Sequence, residues 1–148
     1  MANLDLRTGG TLALAQVDQT PEYLMVYKLD TSAVSITATD MVVQMFNIPA
    51  NTRVVEVITD VITPEGGTCT FDLGDAADTG RYLDGASANS AAGTILYGNG
   101  STGGSDVPIG RFYESAGVIS AIFDNLPDTA VLEFKVRCFD FSKTLVSE

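Results

Sequence analysis

Residues 131–139 alternate strictly: Leu132, Phe134, Val136 and Cys138 are interleaved with Glu133, Lys135 and Arg137. Successive side chains of an extended strand point to opposite faces, so this period gives one dry face and one wet face. A helix would scatter the same residues around its circumference. No segment of the chain sustains a helical period, whereas β-branched and aromatic runs recur, each bounded by Gly, Pro, Asn or Asp. That punctuation predicts many short strands and an all-β fold, an antiparallel sandwich or barrel.

Residues 53–63 carry β-branched side chains on both faces, with Glu56 and Asp60 on one of them, and read as a long central strand. Pro49 ends the strand before it, because proline fixes φ and removes a backbone donor. Pro64, Glu65, Gly66 and Gly67 then form a turn, and residues 68–73 return with Cys69, Phe71 and Leu73 facing inward. The expectation is a hairpin of 53–63 with 68–73. Further strands are expected at 22–29, 33–38, 41–47 and 117–123, the last closed by the turn residues Asn125, Pro127 and Asp128.

Two stretches lack this bulk. Residues 1–21 hold no strand-like run before Tyr23 and read as an N-terminal arm, and residues 74–109 are so rich in Gly, Ala, Ser, Asn and Asp that they read as one long loop excursion. Residues 22–148 are then a single β-sandwich domain. A chain of 148 residues, 45% hydrophobic and 18% charged, has the size and composition to bury one core.

Net charge is −11, and the eight Lys and Arg are scattered singly, so no basic patch neutralises a run of phosphates and nucleic acid is not expected as a direct partner. The same acidity weakens attraction to an anionic membrane, and no run is long enough to span a bilayer. Cys69 and Cys138 both lie on apolar sides of alternating runs and read as free, buried thiols rather than a disulfide. With no apolar stretch near the start long enough for a signal-peptide core, synthesis in the cytosol is expected.

The chain contains no histidine, which removes Ser-His-Asp and Cys-His sites and the His-based sites typical of catalytic zinc. Two separated cysteines supply neither a structural zinc site nor a redox pair. Nineteen Asp and Glu leave a two-carboxylate hydrolase conceivable in principle, but no spacing singles out a pair, and no catalytic residue or cofactor is expected. Asp72, Asp75, Asp78 and Asp84 are concentrated enough to be candidate calcium ligands. Their spacing departs from an EF-hand loop, and the alternative is that Asp and Gly here set turns, with Arg81 pairing one of the acids. The glycine-rich run from Gly98 to Gly104 lacks the Lys and Ser or Thr of a phosphate-binding loop. Asn99-Gly100-Ser101 spells a glycosylation acceptor that has no secretory context, and the five tyrosines are too dispersed for a sugar platform.

The order Asn47-Ile-Pro-Ala-Asn-Thr-Arg-Val-Val-Glu-Val, then Val61-Ile-Thr-Pro-Glu-Gly-Gly-Thr-Cys-Thr-Phe-Asp-Leu-Gly-Asp, then Asp78-Thr-Gly-Arg-Tyr-Leu, resembles the capsid decoration, or cement, proteins of tailed bacteriophages. The likeness covers roughly residues 47–84 and is one of sequence style. It implies a jelly-roll-like sandwich, a homotrimer, and a place on the virion exterior, clamping neighbouring major capsid protein subunits after synthesis in the host cytoplasm. Under this reading Val57, Phe71, Leu73, Leu132, Phe134 and Val136 lie in the core, and the arm and the excursion around 85–104 carry the contacts. Three other classes stand beside it: a receptor- or glycan-binding module of a phage head or tail fibre, a carbohydrate-binding domain, and a hydrolase using two carboxylates.

Overall fold

The computed structural model describes residues 22–98 and 110–141, and all regular structure among them is β. In chain order the strands are β1 (Glu22–Asp30), β2 (Val43–Ile48), β3 (Thr52–Thr63), β4 (Thr70–Asp75), β5 (Asp78–Ser87), β6 (Ile95–Gly98), β7 (Arg111–Tyr113), β8 (Gly117–Phe123) and β9 (Val131–Asp140). One sheet has the order β1-β9-β3-β6, with β7 also paired to β3; the other has the order β2-β8-β4-β5. Every pairing is antiparallel.

β6 lies along the second half of β3, Gly98 opposite Val57, and β7 along the first half, Arg111 opposite Val54. The two short strands thus occupy one edge position in line, and the chain departs from that edge after Gly98 and rejoins it at Arg111. The break sits opposite a bulge in β3, where the β9 register shifts between Val54 and Glu56. With β6 and β7 taken as one position, the path changes sheet at every connection except β4 to β5. Eight strand positions threaded in this way make a jelly roll.

The two inner faces supply the core. Val57, Phe71, Leu73, Leu132, Phe134 and Val136 are all fully buried, as the alternation requires. Phe134 of the first sheet meets Phe71 of the second edge-on at 5.9 Å, and Phe71 also packs on Phe123 at 5.6 Å. Farther along, Tyr27 and Phe46 make another edge contact between the layers at 6.2 Å. On the outer face of the first sheet the wet half of the β9 alternation is ion-paired: Lys135 bridges Asp60 and Glu133, and Arg137 bridges Glu56 and Glu22.

Three expectations of local structure are corrected. Strands 53–63 and 68–73 are not a hairpin, because β3 and β4 lie in opposite sheets. Periodicity reports which face is dry but not which neighbour covers it. The crossing between them is held by Glu65, whose carboxylate accepts hydrogen bonds from the N–H groups of Asp128, Thr129 and Ala130 and from the Thr129 hydroxyl. Residues 33–38 form no strand; they belong to a turn and irregular link in which Ile36 reaches the core.

The third correction concerns the long loop expected at 74–109. Within it β4 runs on to Asp75, β5 spans ten residues and β6 four. Two of its glycines, Gly74 and Gly98, serve close packing rather than flexibility. A Cβ on Gly98 would stand 1.9 Å from the Tyr82 carbonyl oxygen, and one on Gly74 would stand 2.1 Å from the Asp78 carbonyl oxygen. Both contacts are with backbone, which cannot rotate away as a side chain would. The remainder of the expected excursion, 99–109, and the expected arm, 1–21, lie outside the described residues.

If Gly98 is there for proximity, Gly98→Ala forces β5 and β6 apart and destabilises the fold by about 2 kcal/mol or more, in the upper range of overpacking costs. Gly93 is exposed, with open space where a Cβ would go and a positive φ of 88°, so Gly93→Ala meets backbone strain alone and costs about 1 kcal/mol. Denaturant midpoints of the two variants check this ordering; equal losses would remove the close-approach account.

Candidate functional site

The β4–β5 hairpin turns through two residues, Ala76 and Ala77, and the turn is made by Asp75. Its Oδ1 accepts the N–H groups of Ala77 and Asp78, both at 3.0 Å, in the manner of an Asx turn. Its Oδ2 accepts Arg81 Nε–H at 2.8 Å and the Tyr113 hydroxyl at 2.9 Å. Tyr113 in turn shares a 2.9 Å hydrogen bond with the hydroxyl of Tyr82. One carboxylate therefore ties the end of β4 to β5 and, through Tyr113, to β7 in the opposite sheet.

Asp75 is only 7% exposed, so the carboxylate is compensated rather than solvated. Burial would raise its pKa, but the Tyr113 hydroxyl, Arg81 and the Asp78 N–H outweigh it and hold the pKa below its ordinary value. Burial pushes both tyrosines the other way, well above theirs. The hydroxyls therefore stay protonated at neutral pH and act as donors, not as bases.

This network forms one wall of an open cavity of about 700 Å³ at the end of the sandwich. β7, the turn after it and Arg53 at the start of β3 also line it. Arg53, Arg81 and Arg111 all line it, three of the eight Lys and Arg in the chain. Arg53 lies 6.0 Å from the centre of the Phe112 ring and Arg111 5.7 Å from that of Tyr113, so both guanidinium groups are placed over aromatic faces. A second cavity of about 460 Å³ shares Asp75, Ala76, Ala116, Gly117 and Val118 with the first and continues over the outer face of the β2-β8-β4-β5 sheet.

The four aspartates singled out in the sequence do not converge. Asp75 is engaged as described, and Arg81 is the partner that the turn-setting alternative anticipated. Asp72 accepts the Gly85 N–H at 2.7 Å and Asp78 the Gly80 N–H at 3.2 Å, while the Asp84 side chain lies beside Gly80. Among the described residues no group of three His, Cys, Asp or Glu is placed to hold a metal ion. Cys69 and Cys138 are free and buried, and burial raises both thiols, that of Cys138 to about 11. Neither is a thiolate nucleophile at neutral pH.

The arginine cavity escaped the sequence reading. Its cations stand at positions 53, 81 and 111, each alone in its own run, and only the jelly-roll path brings them together. Asp75-Ala-Ala-Asp78 between strand-like residues was the available signal for the hairpin that anchors it.

Because the Asp75 pKa is depressed on folding, its contribution to stability is complete above its unfolded value, near 4, and is lost as pH falls through the lower folded value. Urea midpoints should therefore drop below about pH 4 in the wild type. Asp75→Asn, which strips the buried pair of one charge, should cost about 3 kcal/mol at pH 7 and flatten that acid-side slope. A slope unchanged by the substitution would assign the acid sensitivity to other carboxylates.

No protein-family model matches the chain, and no curated protein matches it in sequence. Its fold is shared with chains of solved structures. A chain in the acidic stable capsid structure of Helicobacter pylori bacteriophage KHP30 superposes with a TM-score of 0.59 at 14% identity, over 84% of this chain and 94% of that one. A chain of the cyanophage Pam1 capsid asymmetric unit gives 0.58 at 15% identity, over 82% and 84%. A chain in the capsid of Ralstonia phage GP4 gives 0.58 at 13% identity, over 84% and 86%. At these identities the likeness is one of fold, and it extends across more than four-fifths of each chain.

Proposed function

We propose that this chain is a structural virion protein that binds the outer surface of a phage capsid and stabilises contacts between major capsid subunits. The observation that carries the reading is the shared jelly roll: three structures of phage capsids each contain a chain that this one matches over more than four-fifths of its length. The sequence resemblance over residues 47–84 points to the same class from a different direction, since it rests on turns and strand order rather than on overall shape.

The chemistry of the chain agrees with a mechanical role. Its thiols and the buried Tyr82 and Tyr113 are held protonated, the Asp75 carboxylate is consumed by structure, and among the described residues no three acids or thiols gather as a metal site would need. We read it as a non-enzyme. A sandwich whose layers are joined by aromatic contacts and whose outer face is ion-paired is a stiff body, suited to resisting outward strain in a shell. The capsid exterior and a homotrimeric state follow from the decoration reading, and the chain would reach its place after synthesis in the host cytoplasm.

Purified protein mixed with undecorated heads tests the proposal. The expected outcome is stoichiometric co-sedimentation with the heads and a rise in the temperature at which they release DNA, with a native mass of three copies for the free protein. Heads that neither bind the protein nor gain stability from it would sink the decoration role, and retention on a glycan array instead would favour the receptor-binding alternative.

A further inference from the structure

We propose that the arginine-lined cavity is a docking site for an extended segment of a neighbouring protein chain, which sets one carboxylate against Arg81 and Arg111 and lays its following residues along the adjoining groove. The proposal rests on the decoration reading only for which chain supplies the segment.

The first ground is charge. In a protein of net charge −11 with eight Lys and Arg, three arginines lining one cavity are a marked local reversal. Two acids also line it, Asp75, which is paired with Arg81, and Glu114, so the lining carries a formal charge of +1 where the protein as a whole carries −11. A site of this polarity selects for anions that the rest of the surface repels.

The second ground is the way Arg81 is held. Asp75 takes Nε–H at 2.8 Å, and among the described residues no other hydrogen bond of this guanidinium is formed, although its side chain is only 15% exposed. The terminal N–H groups are therefore left to the cavity while the side chain itself is fixed in place. A guanidinium oriented in advance loses less entropy when it binds, and its fork matches the two oxygens of a carboxylate. Arg111, exposed and placed over the Tyr113 ring, has no acidic partner among the described residues.

The third ground is continuity. Beyond the rim formed by Ala116, Gly117 and Val118 the cavity opens into the second one, over Val42, Gln44, Ser120 and Ile122. Cavities of about 700 and 460 Å³ thus adjoin as one path. Its floor mixes β-branched and hydroxyl side chains and carries no further cation. A polyphosphate or nucleic acid would need positive charge along the whole path; a strand with one acid and then alternating apolar residues would not.

The test is an NMR titration of the full chain with the peptide acetyl-Ala-Glu-Val-Thr-Val-amide at about 0.15 M salt. Saturable shifts are expected at Arg81 Nε–H and at the backbone amides of residues 75–77 and 114–118. The same peptide with Gln for Glu should bind about tenfold more weakly. Arg111→Glu should weaken the Glu peptide by at least that factor, with Arg111→Gln as the milder variant should the charge reversal unfold the protein. Lys28→Glu, a charge change of equal size on exposed β1, should leave binding unaltered. The proposal is overturned by equal binding of the Gln peptide, by Arg111 variants that bind like the wild type, or by displacement of the peptide by an equal concentration of inorganic phosphate, which would make the cavity a small-oxyanion site. Heads that bind the protein when the peptide does not would remove this site alone, whereas peptide binding without head binding would remove the decoration reading alone.

Discussion

Everything else in this protein hangs on the contact between Phe134 and Phe71 across the middle of the sandwich. Phe134 belongs to β9, which is paired on both sides, to β1 and to β3; Phe71 belongs to β4, paired to β5 and β8. Where these two rings meet, four-strand layers become one body, because neither inner face has another way to leave water. Burial of such side chains is the dominant favourable term in folding, and a sheet alone cannot hide one of its faces.

The cavity is a consequence of that closure. Inner faces fill the centre of a sandwich, but the ends are finished by turns, and turns cannot supply a continuous apolar surface. At one end the chain uses polar groups instead: Asp75 gathers two backbone N–H groups, a guanidinium and a phenol, and by doing so converts a buried charge into a brace between layers. The same bonds that stabilise the carboxylate also orient Arg81. At this end the side chains that brace the layers also line the cavity.

The glycines tell a related story about how a sequence is misread. Between residues 74 and 98 small residues imply a loop, yet β5 and β6 lie there, and Gly98 and Gly74 are small because a carbonyl stands where a Cβ would be. Composition cannot separate a glycine that permits motion from one that permits contact. Only the neighbour's position distinguishes them.

The sequence by itself determined what depends on local period. The alternation of residues 131–139, the doubly covered β3, the buried Cys69 and Cys138 and the six named core residues all follow from side chains alternating across a strand. It also excluded histidine chemistry outright. The tertiary structure alone decided what depends on partners: that β3 crosses to the other sheet instead of turning back, that residues 33–38 find no strand to pair with, that four aspartates point to separate tasks, and that Arg53, Arg81 and Arg111 share a cavity. The physical reason is that strand pairing and charge clustering are long-range events, set by which faces close on one another, and a one-dimensional period carries no record of that choice.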